Sequence, residues 1–334
     1  MARPASVAAP AGAPAGPRFS RQTLVIGGLA LLALGTIACF MLLGARGNWQ
    51  FVLPFRGAKL LGLVLVAYSI AVSTVLFQTV TTNRILTPSI MGFDTLFILI
   101  QTIIIFFFTS RALATVDARL QFLLEVGMMV GFSVVLFRWL FIGAERSLHL
   151  LVLVGIVFGV FFRSLANLMQ RMMDPNEFLV LQDSFFASFN SIDRTLLGVS
   201  VVIVALASAA LWRIHRSLDV ISLGRAAAIG LGVDYRATVM QLLVIMAVLV
   251  SVSTALVGPV TFFGLLVVSL AHALAGDGRH RHIIPASILI AIICLVGGQT
   301  LMERVFSFGT ALSIIIEFLG GLVFIFLILR GAAR

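Results

Sequence analysis

Of 334 residues, 60% are hydrophobic and 11% charged, against about 25% charged in a soluble domain, and the apolar residues are spread over the whole length. That excludes a soluble helical protein and leaves no room for a separate aqueous domain. The net charge of +10 comes from 22 arginines and Lys59, standing singly between apolar runs rather than along an aromatic-interleaved basic stripe, which excludes nucleic acid as a partner and fits the basic bias of membrane loops.

Residues 1–20, rich in Ala, Pro and Gly, are expected to form a disordered cytoplasmic N-terminus, with 21–334 a single polytopic membrane domain. Apolar runs then fall near 23–43, 58–80, 93–109, 120–141, 147–166, 194–212, 237–257, 260–275, 283–302 and 309–329. A helix of about 20 residues rises about 30 Å, one hydrocarbon thickness, so the runs predict an all-α membrane protein of ten transmembrane helices. The first run, Thr23 to Gly44, is long for a signal peptide and reads as a retained span. Ten spans return both termini to one side. With the N-terminus inside, the 23 basic residues divide fourteen inside and nine outside, which favours cytoplasmic termini.

Between the second and third runs lies Gln78-Thr-Val-Thr-Thr-Asn-Arg-Ile-Leu-Thr-Pro-Ser-Ile-Met-Gly-Phe-Asp94. Asn83, Pro88 and Gly92 punctuate it as a specified turn with helix-start chemistry. The segment 167–193 is not a span. Asp174-Pro-Asn-Glu177 opens a short amphipathic helix expected at the outer surface.

The loop 213–236 reads as one or two short helices, with Leu218, Ile221, Leu231 and Val233 as an apolar edge and Gly224, Gly230 and Gly232 allowing tight turns. The run at 260–275 is short and follows Gly258-Pro259, as in the interrupted spans of transporter interiors. His280 and His282 alternate with arginines. Lacking acidic or Cys partners in the spacing, they read as a solvated loop.

Chemistry is sparse. No Gly-Lys-Ser/Thr phosphate loop exists, because the sole lysine stands in Gly57-Ala-Lys59-Leu, so any ATP is hydrolysed by a separate chain. Cys39 and Cys294 lie inside apolar runs as small buried groups, and neither a metal site, a cofactor site nor a catalytic site is predicted. Gln78, Gln101, Gln241, Gln299 and Glu317 are the intramembrane polar residues noted. Glu317 reads either as a structural hydrogen-bonding group or as a lining of the path.

Four blocks carry a resemblance. Asn83-Arg-Ile-Leu-Thr-Pro-Ser-Ile-Met-Gly92 resembles the loop after the second helix of FecCD-type permeases, the membrane subunits of ABC importers for iron–siderophores, haem and vitamin B12. Ile221, Leu223, Gly224, Ala228, Leu231 and Gly232 are similar to the family's coupling segment, although Arg225-Ala226 stand where an acidic residue is common. Gly258, Phe262, Gly264, Leu265, His272 and Pro285 fit a third block, without the usual proline before His272. Arg56, Lys59 and Arg304 stand where family members receive carboxylates of the substrate-binding protein.

The resemblance implies a type II ABC importer permease fold and ATP-driven iron–siderophore uptake through the bacterial inner membrane. It implies four kinds of partner: an ABC ATPase dimer, a second permease subunit that is a paralogue or a second copy, a periplasmic or lipoprotein siderophore-binding protein, and the bilayer. Leu218 through Gly232 would couple to the ATPase, Arg56, Lys59 and Arg304 would dock the binding protein, and Asn83, Pro88 and Gly92 would form a structural loop. A stand-alone ion-coupled secondary transporter is the rival. The near absence of membrane-embedded Asp, Arg and His chains counts against it.

Overall fold

A computed structural model describes residues 21–44, 49–113, 116–141, 148–189, 193–276, 279–305 and 312–332. The N-terminal stretch 1–20, expected to be disordered, lies outside them. Among the described residues every regular element is helical. In chain order they are α1 (Arg21–Leu42), α2 (Trp49–Thr81), a 3-10 turn (Pro88–Met91), α3 (Phe93–Leu113), α4 (Ala118–Phe141), α5 (Leu148–Met172), α6 (Pro175–Asp183), α7 (Arg194–Ile221), α8 (Arg225–Gly230), α9 (Tyr235–Val257), α10 (Phe263–Ala275), α11 (His280–Arg304) and α12 (Leu312–Ala332).

Seven of these helices are long and apolar enough to cross a membrane, and α3, α10 and α12 contribute three shorter apolar segments. The ten apolar runs therefore correspond to ten apolar helices, with α6 and α8 as the short polar-bounded pieces between them.

The centre of the bundle is α2. It packs on α9 on one side and on α11 on the other, and α1 leans on α11 rather than on its sequence neighbour. Of α2's apolar stretch, 78% is buried, against 17% for α1. Two apolar cores flank it. One joins Leu76, Phe77, Phe97, Met129, Phe137 and Met246 from α2, α3, α4 and α9. The other joins Phe40, Val66, Phe263, Val267, Leu295 and Val296 from α1, α2, α10 and α11.

Several hydroxyl side chains inside the bundle bond to carbonyls of their own helices. Thr79 donates to the Val75 carbonyl, Thr81 to Phe77 and Ser133 to Met129. This is how Ser and Thr are tolerated where there is no water to bond.

Several helix boundaries differ from the sequence expectation. α2 begins at Trp49, nine residues before the predicted 58, and carries Pro54 within it. α7 continues through the polar stretch Arg213–Asp219 to Ile221, because Leu218 and Ile221 still find the core and are fully buried. The predicted break at Gly258-Pro259 is present, and α10 begins at Phe263 after it. α6 matches the predicted short helix. The Asp174 side chain caps it by accepting from the Asn176 amide at 2.8 Å.

Candidate functional site

Three groups of sequence-selected residues fall at three places. At one end of the bundle, Ser222 closes α7, and Gly224, at φ +93°, turns the chain into α8. Gly232, at φ +82°, turns it out again. Both sit in the left-handed region that side chains resist. Asp234 then caps α9 by accepting from the Ala237 amide at 3.0 Å.

Within this segment the predicted apolar edge divides. Leu218, Ile221 and Ala228 are buried and seat it on the bundle. Leu223 and Leu231, each 64% exposed, point away together with Ile229. The outward apolar surface is therefore Leu223, Ile229 and Leu231. Leu218 and Ile221 are the anchor beneath it, a correction to the edge expected from sequence.

The anchor has a polar strut. The His280 backbone amide donates to Asp219 Oδ1 at 2.9 Å, and its Nδ1 lies 2.6 Å from the same oxygen. His280 Nε2 lies 2.6 Å from Thr79 Oγ1. One imidazole thus ties α7, α11 and α2 together immediately before α8. The solvated-loop expectation fails for His280, which is buried as the first residue of α11. Its acidic partner stands 61 residues away, beyond the reach of any spacing rule.

The second place is the α2–α3 turn. Asn83 Oδ1 accepts from the Ile85 amide at 3.0 Å, a local side-chain turn. Pro88 is buried at the start of the 3-10 turn, and Gly92 ends that turn at φ +87°. A methyl group at Gly92 would lie 2.8 Å from the Gly159 Cα, and one at Gly155 would lie 3.0 Å from the Met91 Cα. The turn therefore docks on α5 backbone to backbone. The Gly155-x-x-x-Gly159 pair on α5 is the signal sequence reasoning passed over, since small residues four apart mark close helix approach in membranes.

In the first turn of α3, buried Asp94 accepts from Thr261 Oγ1 at 3.1 Å. This joins the turn to the α9–α10 break. Asp94 was read from sequence only as part of the specified turn, and Glu125 was not singled out. Glu125 accepts from Gln101 at 2.8 Å and from Gln121 at 3.0 Å inside the bundle.

The third place is the opposite end of α2. Arg56, Lys59 and Arg304 converge there. Arg56 Nη1 donates to the carbonyls of Phe40, Met41 and Leu43 at 2.9–3.0 Å, and Nη2 to Gly44 at 3.3 Å. Arg304 also donates to the Leu43 carbonyl. Two guanidinium groups thus cap the C-terminus of α1, where unpaired carbonyls and the helix dipole favour cations. Lys59 is different, because its Nζ forms a 2.5 Å ion pair with Glu303, both side chains being nearly buried. No group of three or more His, Cys, Asp or Glu side chains that could hold a metal ion occurs among the described residues.

Comparison with known proteins places the chain in a family. A family model described as the FecCD transport family matches residues 22–330. The petrobactin import system permease protein YclO of Bacillus subtilis is 48% identical over 313 residues, spanning 94% of this chain and 98% of the relative. The petrobactin import system permease protein FatC of Bacillus anthracis is 34% identical, over 91% of this chain and 88% of its own. Among solved structures, one described as a metal-chelate type ABC transporter in an inward-facing conformation superposes with a TM-score of 0.81 at 21% identity. It covers 92% of this chain and 99% of its own.

Proposed function

The chain belongs to the FecCD transport family, and on that premise we propose that it is the permease subunit of an ATP-driven importer of a petrobactin-like ferric siderophore. Relatives named as petrobactin permeases span nearly its whole length, which supports that chelate class over haem or vitamin B12. The chain is a transport subunit and not an enzyme. An ATPase and a substrate-binding protein are its partners, and the translocation path is completed by a second permease subunit, either a paralogue or another copy. Both termini lie in the cytoplasm, and α8 faces the ATPase.

The observation that carries this reading is the divided 218–232 segment. A solvated loop has no use for three exposed apolar side chains held rigidly over a buried anchor. A coupling element needs both, with Leu223, Ile229 and Leu231 entering a groove on the ATPase and Leu218 and Ile221 passing its movement to the bundle. At the other end, the two arginines at the α1 terminus bond, among the described residues, to neutral carbonyls and keep their charge available to carboxylates of a binding protein. Lys59 is neutralised by Glu303, so it contributes less to docking than its two neighbours.

The test is Leu223→Asp in the assembled transporter. A charge forced into a desolvated contact costs several kcal/mol as an order of magnitude. The expected result is loss of ATPase co-purification and of ferric-petrobactin uptake in a deletion strain, with the permease itself still folded. Wild-type co-purification together with wild-type uptake would remove the coupling assignment.

A further inference from the structure

We propose that the small cavity at the break between α9 and α10 binds one monovalent cation, sodium, held by Asp94 and a cage of hydroxyl oxygens. The cavity measures about 20 Å³ and lies where α2, the 3-10 turn, the start of α3 and the last turn of α9 meet. One water needs about 10–15 Å³, so the space takes one water-sized particle and no organic ligand. A methyl group at Gly264, which also lines the cavity, would overlap Thr74 Oγ1. The backbone is thus drawn in close around the space.

Three side chains mark a site rather than a packing gap. Thr74, Thr87 and Thr254 line the cavity and are 1%, 4% and 4% exposed. Their hydroxyls have no hydrogen-bond partner among the described residues. Unlike the hydroxyls of Ser69 and Ser251, which are sealed in packing, they keep accessible surface. With the residues themselves buried, that surface is cavity wall. An unmet buried hydroxyl is costly, and a bound ligand recovers the cost.

The other oxygens fix the ligand's sign. Ser73 and Ser253 give their hydroxyl protons to the carbonyls of Ile70 and Val250 in their own helices. Thr261 and Ser89 give theirs to Asp94. These four oxygens are left with lone pairs only, beside a carboxylate that is 9% exposed. Asp94 stands in the first turn of α3, where the helix dipole favours a negative charge. Ser253 and Thr254 come from the end of α9, where the dipole favours a cation. The charged groups that reach Asp94 are Glu317 and Arg163, which oppose each other, and neither forms an ion pair with it among the described residues. One carboxylate among neutral oxygens matches the charge of one monovalent ion, and hard oxygen donors suit an alkali cation.

Occupancy would join three elements. Thr74 belongs to the central helix α2, Asp94 to the start of α3, and Thr254 to the end of α9 just before the break. A cation among them pins the broken span to the centre of the bundle and replaces, with one ion, the hydrogen bonds that the interrupted backbone cannot supply.

The experiment uses the full chain in phosphatidylcholine nanodiscs, dialysed into choline chloride, with radiolabelled sodium in equilibrium dialysis. Saturable binding near one sodium per chain is expected, weakened at least tenfold by Asp94→Asn and likewise by Thr254→Val. Valine keeps the shape of threonine and removes only the hydroxyl, so that variant keeps the test decisive if Asp94→Asn fails to fold. Thermal unfolding gives a second readout. Sodium chloride should raise the Tm of the wild type above its value in choline chloride at equal ionic strength, and should leave that of Thr254→Val nearly unchanged at the same concentration. Absence of saturable sodium binding, or binding indifferent to both variants, would overturn the site and leave a buried water. The measurement needs neither ATPase nor uptake, so it can fail while the transport function stands.

Discussion

Lys59 and Glu303 show how one residue pair can carry two readings. As isolated charges near membrane ends they suggest a docking surface, and as neighbours 2.5 Å apart with little exposure they are an internal brace. Removing one partner strands the other in a dry setting. Lys59→Met is therefore expected to destabilise the permease by about 2–3 kcal/mol, below the usual cost for a fully buried pair because the site keeps some solvent contact. Adding Glu303→Gln should recover most of that loss. Thermal unfolding of the single and double variants in detergent checks it, and equal melting of both would show that no pair was broken. Gly92 makes the contrasting case for backbone. An alanine there meets a left-handed φ and the Gly159 backbone at once, so Gly92→Ala should cost at least about 2 kcal/mol and lower the folded yield. Gly131→Ala on α4, where nothing lies within 4 Å of the added methyl, should be neutral. Size-exclusion yield of the two variants side by side decides the matter.

At the scale of elements, α1 depends on other helices for its end. Its last carbonyls are bonded by Arg56 from α2 and Arg304 from α11. Arg56→Ala is expected to fray the last turn of α1, raising amide exchange around Phe40–Leu43 at least tenfold while α9 stays protected. Unchanged exchange would mean that α1 ends securely without the cap. The elements themselves were legible because hydropathy is a local quantity, and every predicted run became a helix. Their ends were less so. α7 outruns its apolar stretch because Leu218 and Ile221 find distant partners on the bundle, and no local rule reports that. The same holds for the site. Gly224 and Gly232 were readable from turn chemistry, while Arg56, Lys59 and Arg304 were picked out by the family resemblance. The pairings of His280 with Asp219 and of Lys59 with Glu303 were not, being properties of the folded neighbourhood and of separations of 61 and 244 residues.

Across the whole molecule, α2 connects the two working ends. Its N-terminal half carries Arg56 and Lys59, and its C-terminal turn meets His280 through Thr79. With 33 residues it is about 50 Å long, longer than the hydrocarbon layer, so a contact made at either face is felt by the same rigid body. Arg304 is exposed at the face proposed to receive the binding protein. Arg304→Glu should slow association of the purified binding protein at least tenfold at low salt, and high salt should reproduce part of the loss in the wild type. A rate that ignores both would leave Arg304 as a helix cap alone.

The placement of α1 against α11 also sets a clock. The Leu43 carbonyl and the Arg304 guanidinium that bonds it are 261 residues apart. A ribosome adding roughly 5–20 residues per second needs about 13–52 s to cover that distance. The helix made first must therefore wait in the lipid, with most of its surface uncovered, until nearly the whole chain has emerged. Assembly closes at the N-terminal helix, and an arrest late in translation would leave α1 unseated while the α2–α9 centre was already in place.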